Sequence, residues 1–300
     1  MGSQYNIGAY ASDQGTVNVQ GDAIGRRDAA PMPRPRPRPR ADVGILTVLT
    51  VEQRAVVEVL RRHRNYRSAQ LPSGAQAHEA DVAADRGTLH VAAVQALAPG
   101  SRSAAMAFQH LQHAYRPPVV LLVGIAGAIR PDLRIGDVVI ADEVIYYDSR
   151  RETAEGPRRR GHSDPMAPVL RHRLNELFQR YGEAIPVAAG DAIRVYQGPI
   201  GSGDAVVTDA DSDIVHFLRR FNEKTLAVET EAGGVGQAFY ERIDEEHSVH
   251  GWLTIRGISD LADKHKGYDR HQFAAERAAL VMDRLLPLLN VGGHNLGGDS

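Results

Sequence analysis

Apolar residues along this chain fall in short unbroken runs, and between the runs they recur every three to four positions. The runs VGILTVL (43–49), LHVAAVQAL (89–97), PPVVLLVG (117–124), DVVIADEVIYY (137–147), AIRVYQGPI (192–200), TLAVET (225–230) and WLTIRGIS (252–259) have strand length and are rich in β-branched residues. Ala55, Val56, Val59 and Leu60 share one face of a helix predicted from Glu52 to Arg64, and a second is predicted near Ser103–Ala114. Another helix should follow TLAVET, and Phe273, Leu280, Val281, Leu285 and Leu288 mark a final one. Strands apolar along their whole length need cover on both faces. The pattern therefore predicts an α/β fold, a three-layer α-β-α sandwich around a central mixed, mostly parallel sheet.

The first forty residues break this pattern. QYNIGAYASDQGTVNVQGD (4–22) is polar with interspersed Val and Ile, a composition suited either to cross-β pairing or to a loose tail. PMPRPRPRPR (31–40) alternates proline with like charges and should be an extended linker. The expected organisation is a flexible segment over 1–40, one globular domain over 41–291 and a short tail over 292–300. The chain has 300 residues, a formal net charge of −2 and no cysteine. No global field marks a nucleic-acid binder, and four arginines without interleaved aromatics do not make the tail one. The missing cysteines exclude disulfides, thiol catalysis and thiolate metal sites. No apolar run approaches membrane-spanning length, and the N-terminus lacks the features of a signal peptide, so the cytoplasm is the expected compartment.

In sheets of this kind ligands bind beyond the C-terminal strand ends. Here those ends carry polar or glycine-rich groups: Glu52, GIAGA (124–128), SGDA (202–205), Glu229 with Glu231, and Ser259-Asp260. If the strand runs through Glu231, the two glutamates share a face, a costly pairing unless polar partners or a ligand meet them. Ser259 and Asp260 suit either a helix cap or a site. The histidines show no HExxH or other ligand spacing, and there is no GxSxG, so neither a metal site nor a serine triad is expected. RRETAEGPRRRGH (150–162) is either a solvated loop or a phosphate contact, since arginine forks suit phosphate oxygens.

Taken in order, VGILTVLTVEQRAVV, VGIAGAIRPDLRIGDVVIADEVIYYD, SGDAVV, VETEA and RGISDLAD resemble the purine nucleoside phosphorylase/nucleosidase superfamily. The specific likeness is to its 5′-methylthioadenosine/S-adenosylhomocysteine nucleosidase branch, and it covers about residues 42–290. The RGISDLADKHKG ending is also similar to such domains attached to signalling or conflict-related NTPases. The resemblance implies cleavage of an N-ribosidic bond without a cofactor. Asp260 would be the general acid at purine N7, oriented by Ser259, and Glu52 the base that activates water. An acid working near neutrality needs a raised pKa. Glu231, supported by Glu229, would hold the ribose hydroxyls. Val206 and Val207 would sit at the base, and Ala126 and Gly127 near the sugar.

Thr230 replaces the family's usual methionine, Val206 an aromatic and Ile125 a serine, which puts the 5′-methylthio group in question. With the arginine-rich loop, these changes raise a 5′-phosphorylated adenine nucleotide as substrate. Arg54 or Arg102 could reach an anion, which keeps phosphorolysis as the alternative to hydrolysis. A homo-oligomer is implied by resemblance alone. GTVNVQGD is similar to amyloid-like signalling motifs, so the further alternative is a nucleotide-binding signalling module whose partner binds residues 1–40.

Overall fold

The computed structural model describes residues 9–11, 17–19, 41–188, 191–241, 251–261 and 268–289. The chain divides into two compact units, 1–38 and 39–300. In the first, β1 (Ala9–Ala11) pairs antiparallel with β2 (Val17–Val19), placing Ala9 opposite Val19. The Pro/Arg run before residue 41 and the tail from residue 290 lie outside the described residues.

The second unit holds a mixed sheet of eleven strands. Its centre is parallel: β3 (Val43–Thr47) lies between β6 (Gly87–Gln95) and β7 (Val119–Ala128), and β7 pairs on its other side with β15 (Gly251–Asp260). A long strand, β13 (Asp191–Ser202), runs parallel to both β8 (Val138–Tyr146) and β14 (Ala227–Glu229). β14 then pairs with β7, and β15 with β8, both antiparallel. These pairings close β8, β13, β14, β7 and β15 into a ring, so the strand exits of this half converge.

Helices cover both faces, and the strands divide their side chains between them. Val43, Ile45, Leu121 and Ile255 pack with α1 (Thr50–Leu60), α3 (Pro168–Tyr181) and α6 (Tyr268–Leu285). Leu46, Val120, Leu122 and Ile258 pack with α2 (Ser101–Tyr115) and α5 (Ala232–Tyr240). The expected layered α/β architecture is observed.

Several elements were not signalled by apolar runs. β4 (Arg64–Gln70) reads RNYRSAQ and is largely exposed, because it ends the sheet and pairs antiparallel with β5 (Gln76–Ala84) alone. Helix α3 has a low apolar content and shows itself only through Leu170, Leu174 and Leu177 at helical spacing, with a proline at its start. A two-stranded ribbon, β9 (Arg150–Thr153) and β10 (Gly156–Arg159), stands apart from the main sheet. It leads into β11 (His162–Pro165), an edge strand on β8. β12 (Ala184–Ala188) pairs with β13, and α4 (Asp213–Phe221) follows the loop after β13.

Candidate functional site

The strand exits meet in a cleft of about 270 Å³, lined among others by Glu52, Ala126, Gly127, Val207, Glu231 and Asp260. Ser259, Glu229, Thr230 and Val206 also line it, so ten of the eleven site positions expected from sequence share one cavity. Arg102 is the exception. It lines an adjoining cavity of about 290 Å³ that shares Pro99, Val206 and Thr230 with the cleft. Val206, 68% exposed, forms the sill between the two. Arg54 lies on neither wall.

Glu52 occupies the third position of α1, where a carboxylate can reach back to the amides left unpaired at a helix start. Its Oε2 accepts from the amides of Val48 and Leu49 at 2.9 and 2.8 Å, and its Oε1 accepts from Ile125 at 2.9 Å. The side chain therefore ties the exit of β3 to that of β7. Burial pushes its carboxyl above the ordinary range, opposed by Arg256 and by the Leu49 and Val48 amides.

Glu229 ends β14, and its carboxylate accepts from the amides of Glu231 and Ala232 at 3.1 and 3.0 Å, which caps α5. The two glutamates do not share a strand face, contrary to the alternation expected over LAVETEAGG. The chain leaves the strand after Glu229, and Glu231 is the N-cap residue of α5. The Glu231 Oε1 accepts from the Thr230 hydroxyl and from the amide of Gly100 at 3.2 Å. Thr230 is thus occupied in holding Glu231, and its own carbonyl accepts from Ser101 Oγ at 3.1 Å.

What joins these carboxylates is a residue the sequence reading passed over, Arg256. It sits in the middle of β15 and is fully buried. Its Nη2 pairs with Oε2 of Glu229 and, at 3.1 Å, with Oε2 of Glu231, while Nη1 lies 3.8 Å from Oε1 of Glu52. Burial works against its charge, but the three glutamates outweigh burial and hold its pKa above the usual value. A charged residue inside an otherwise apolar strand was the available signal, because such a group is buried only with partners.

Gly124 makes the junction possible. A Cβ there would come within 2.2 Å of Arg256 Nη1 and 2.4 Å of Glu52 Oε1. GIAGA is not a turn but the last half of β7, and its first glycine admits the arginine–glutamate contact. Across the cleft, the Ser259 hydroxyl donates to Oδ2 of Asp260 at 3.0 Å, and both residues are buried. His271 of α6 also lines the cleft, a titratable residue that the sequence did not single out for it.

Four buried carboxylates thus surround the cleft, with one buried guanidinium among three of them. Among the described residues, no lysine or arginine lines the cleft itself. Among the described residues, no group of three or more His, Cys, Asp and Glu is arranged to hold a metal ion, and no helix is long and apolar enough to cross a membrane.

The arginines of 150–160 lie elsewhere. Arg150, Arg158 and Arg159 line a cavity with Asp213, Phe217 and Arg220 of α4, and it shares no lining residue with the cleft.

Comparison with known proteins agrees with this architecture. A 5′-methylthioadenosine/S-adenosylhomocysteine nucleosidase of Mycobacterium bovis is 31% identical over 194 residues, covering 57% of this chain and 71% of that protein. The ATP nucleosidase Cap17 of Escherichia coli is also 31% identical, over 186 residues, covering 56% of this chain and 35% of that protein. Among solved structures, the Neisseria meningitidis 5′-methylthioadenosine/S-adenosylhomocysteine nucleosidase in complex with methylthio-immucillin-A superposes with a TM-score of 0.63. It is 21% identical and matches 82% of this chain and 98% of that one. Futalosine hydrolase of Helicobacter pylori superposes equally well, at 18% identity over 81% of this chain and 96% of that one. The phosphorylase superfamily profile matches residues 53–288, the greater part of the sequence, and the chain belongs to that superfamily.

Proposed function

We propose that this chain hydrolyses the N-ribosidic bond of an adenine nucleoside or nucleotide, releasing adenine. The observation that carries the reading is the charge imbalance in the cleft, where Glu52, Glu229 and Glu231 converge on one guanidinium. Breaking an N-ribosidic bond develops positive charge on the ribosyl ring. A cleft with surplus buried carboxylate stabilises such a transition state more than the neutral ground state. The nucleosidases among the relatives support the same chemistry.

Asp260, positioned by Ser259, is the acid that delivers a proton to the departing purine. Glu52 is the base. Its burial-raised pKa makes it a stronger proton acceptor once ionised. Nη1 of Arg256 has no hydrogen-bond partner among the described residues and lies 3.8 Å from Oε1 of Glu52. Glu52 itself lines the cleft, where a water entering beside the sugar gives up its proton to the carboxylate as the oxygen attacks the sugar. Glu231 holds the ribose hydroxyls, with Glu229 fixing the guanidinium and the helix start beneath it.

Hydrolysis is favoured over phosphorolysis for the same reason. A phosphate ion would enter a cleft walled by four carboxylates while Arg256 is already engaged. A 5′-phosphorylated substrate is compatible, because Arg102 stands in the adjoining cavity beyond Thr230, outside the carboxylate ring. Incubation with methylthioadenosine, adenosine, AMP and ATP, each with and without inorganic phosphate, tests the assignment. Adenine should appear independently of phosphate from at least one of them. Strict phosphate dependence would instead establish a phosphorylase.

A further inference from the structure

The ribbon formed by β9 and β10 carries an arrangement that the cleft does not explain. Its register sets Arg150 opposite Arg159 and Arg151 opposite Arg158. Like charges directly across a strand pair destabilise it, so two such pairs in a four-residue ribbon need compensation. Local carboxylates supply part: Glu152 pairs with Arg150 at 2.9 Å and Glu155 with Arg158 at 2.6 Å, both at exposed positions where such pairs contribute little. Arg220, facing the ribbon from α4, has no ion-pair partner among the described residues. Arg150, Arg158, Arg159 and Arg220 line a cavity of about 350 Å³ with Pro157 and Phe217, and Asp213 is its sole lining carboxylate among the described residues. The volume lies within the usual span for small-molecule sites, roughly 300–1,000 Å³. Guanidinium forks match phosphate oxygens, and the Phe217 ring offers a face for a nucleobase.

Arg159 also reaches the other way. Its Nη1 donates to the Tyr147 carbonyl at 3.1 Å, and its guanidinium lies 5.8 Å from the Tyr147 ring centre. The Tyr147 hydroxyl donates to the carbonyl of Ala205 at 3.0 Å, and the adjacent Asp148 accepts from the amide of Asp204. Ala205, Val206 and Val207 are cleft wall. One arginine therefore stands between the basic cavity and the loop that shapes the substrate cleft.

We propose that the cavity between the β9–β10 ribbon and α4 is a second, regulatory anion site for a nucleoside polyphosphate, relayed through Arg159 and Tyr147 to the 203–207 loop. Phosphate oxygens compete with the Tyr147 carbonyl for the Arg159 guanidinium and loosen the wall. That the loosened wall alters turnover rests on the reading of the cleft as the active site. The anion site and the loop response do not.

The test uses inorganic tripolyphosphate as the probe on the full chain at fixed ionic strength. Calorimetry should show binding that weakens by about tenfold or more in the Arg158→Ala/Arg220→Ala double variant and is unchanged in Arg102→Ala. Amide hydrogen exchange of residues 203–207 should speed up when tripolyphosphate is added to the native chain, with no response in the double variant. Absence of binding, or binding lost in Arg102→Ala and kept in the double variant, would overturn the site. Binding without any change in loop exchange would overturn the relay. Both readouts are independent of turnover, so failure to release adenine in a separate assay would count against the proposed function alone.

Discussion

Two regions of this molecule hold the same two ion types in opposite proportion. In the cleft, three buried glutamates share one arginine, and at the β9–β10 ribbon, four arginines line a cavity that has one carboxylate. Burial decides what each imbalance means. Arg256 is wholly buried, so its partners act through low dielectric and cannot be replaced by water. The ribbon arginines are mostly exposed, where solvent screens them and individual pairs matter little. The cleft is thus a fixed electrostatic device that the fold cannot lose, and the ribbon is an accessory that the fold can lose without collapse.

That contrast can be broken most forcefully at Arg256. Replacing it with Met leaves Glu229 and Glu231 buried without their cation. The expected cost is about 3–5 kcal/mol of stability, read as a lower urea midpoint, together with loss of adenine release. Asp260→Asn separates chemistry from folding. The urea midpoint should stay close to that of the native chain while turnover drops by about 10²–10⁴-fold. Gly124→Ala pushes a methyl against Arg256 and Glu52 and should cost about 1–3 kcal/mol, with a fall in turnover because both groups move.

A fourth prediction concerns pH. The pKa of the Glu52 carboxyl is raised above the ordinary glutamate value of 4.5 in the folded chain, chiefly by burial. The folded state therefore holds this proton more tightly than the unfolded state. Its contribution is complete below about 4.5 and is lost as pH rises toward the folded pKa. Glu52→Gln removes that dependence, so the stability difference between variant and native chain should shift in favour of the variant as pH rises from 4.5 to neutrality. Urea titrations across that window would show it, and a parallel pair of curves would contradict it. The smallest effect belongs to the ribbon: Arg158→Ala should change stability by no more than about 0.5 kcal/mol.

The same contrast explains what the sequence disclosed. Glu52, Asp260 and the glutamates of VETEA were legible because strand exits in layered α/β sheets are where ligands bind, and each lies at such an exit. Arg256 was not, because strand periodicity marks faces and ends, whereas its meaning depends on which three exits converge on the middle of β15. The LAVETEAGG stretch misled in a related way. Period-two alternation assumes that the strand continues, and here it stops at Glu229 so that Glu231 can begin α5. Phosphate contact by the 150–160 arginines was a charge argument without a position, and the fold places Arg150, Arg158 and Arg159 on a cavity separate from the cleft. The apolar sheet centre and its covering helices were readable from periodicity, while the polar edge strand β4 carried no such signal.

The central claim is that surplus carboxylate around Arg256 drives hydrolysis of an adenine N-ribosidic bond. Its most direct test is the identity of the sugar product when the purified chain acts on adenine nucleosides and nucleotides in phosphate-free buffer, with Asp260→Asn as control. The account predicts adenine and a sugar with a free anomeric hydroxyl from the native chain, and almost none from the variant. A 1-phosphorylated sugar formed only when phosphate is supplied, or equal release by both proteins, would contradict it.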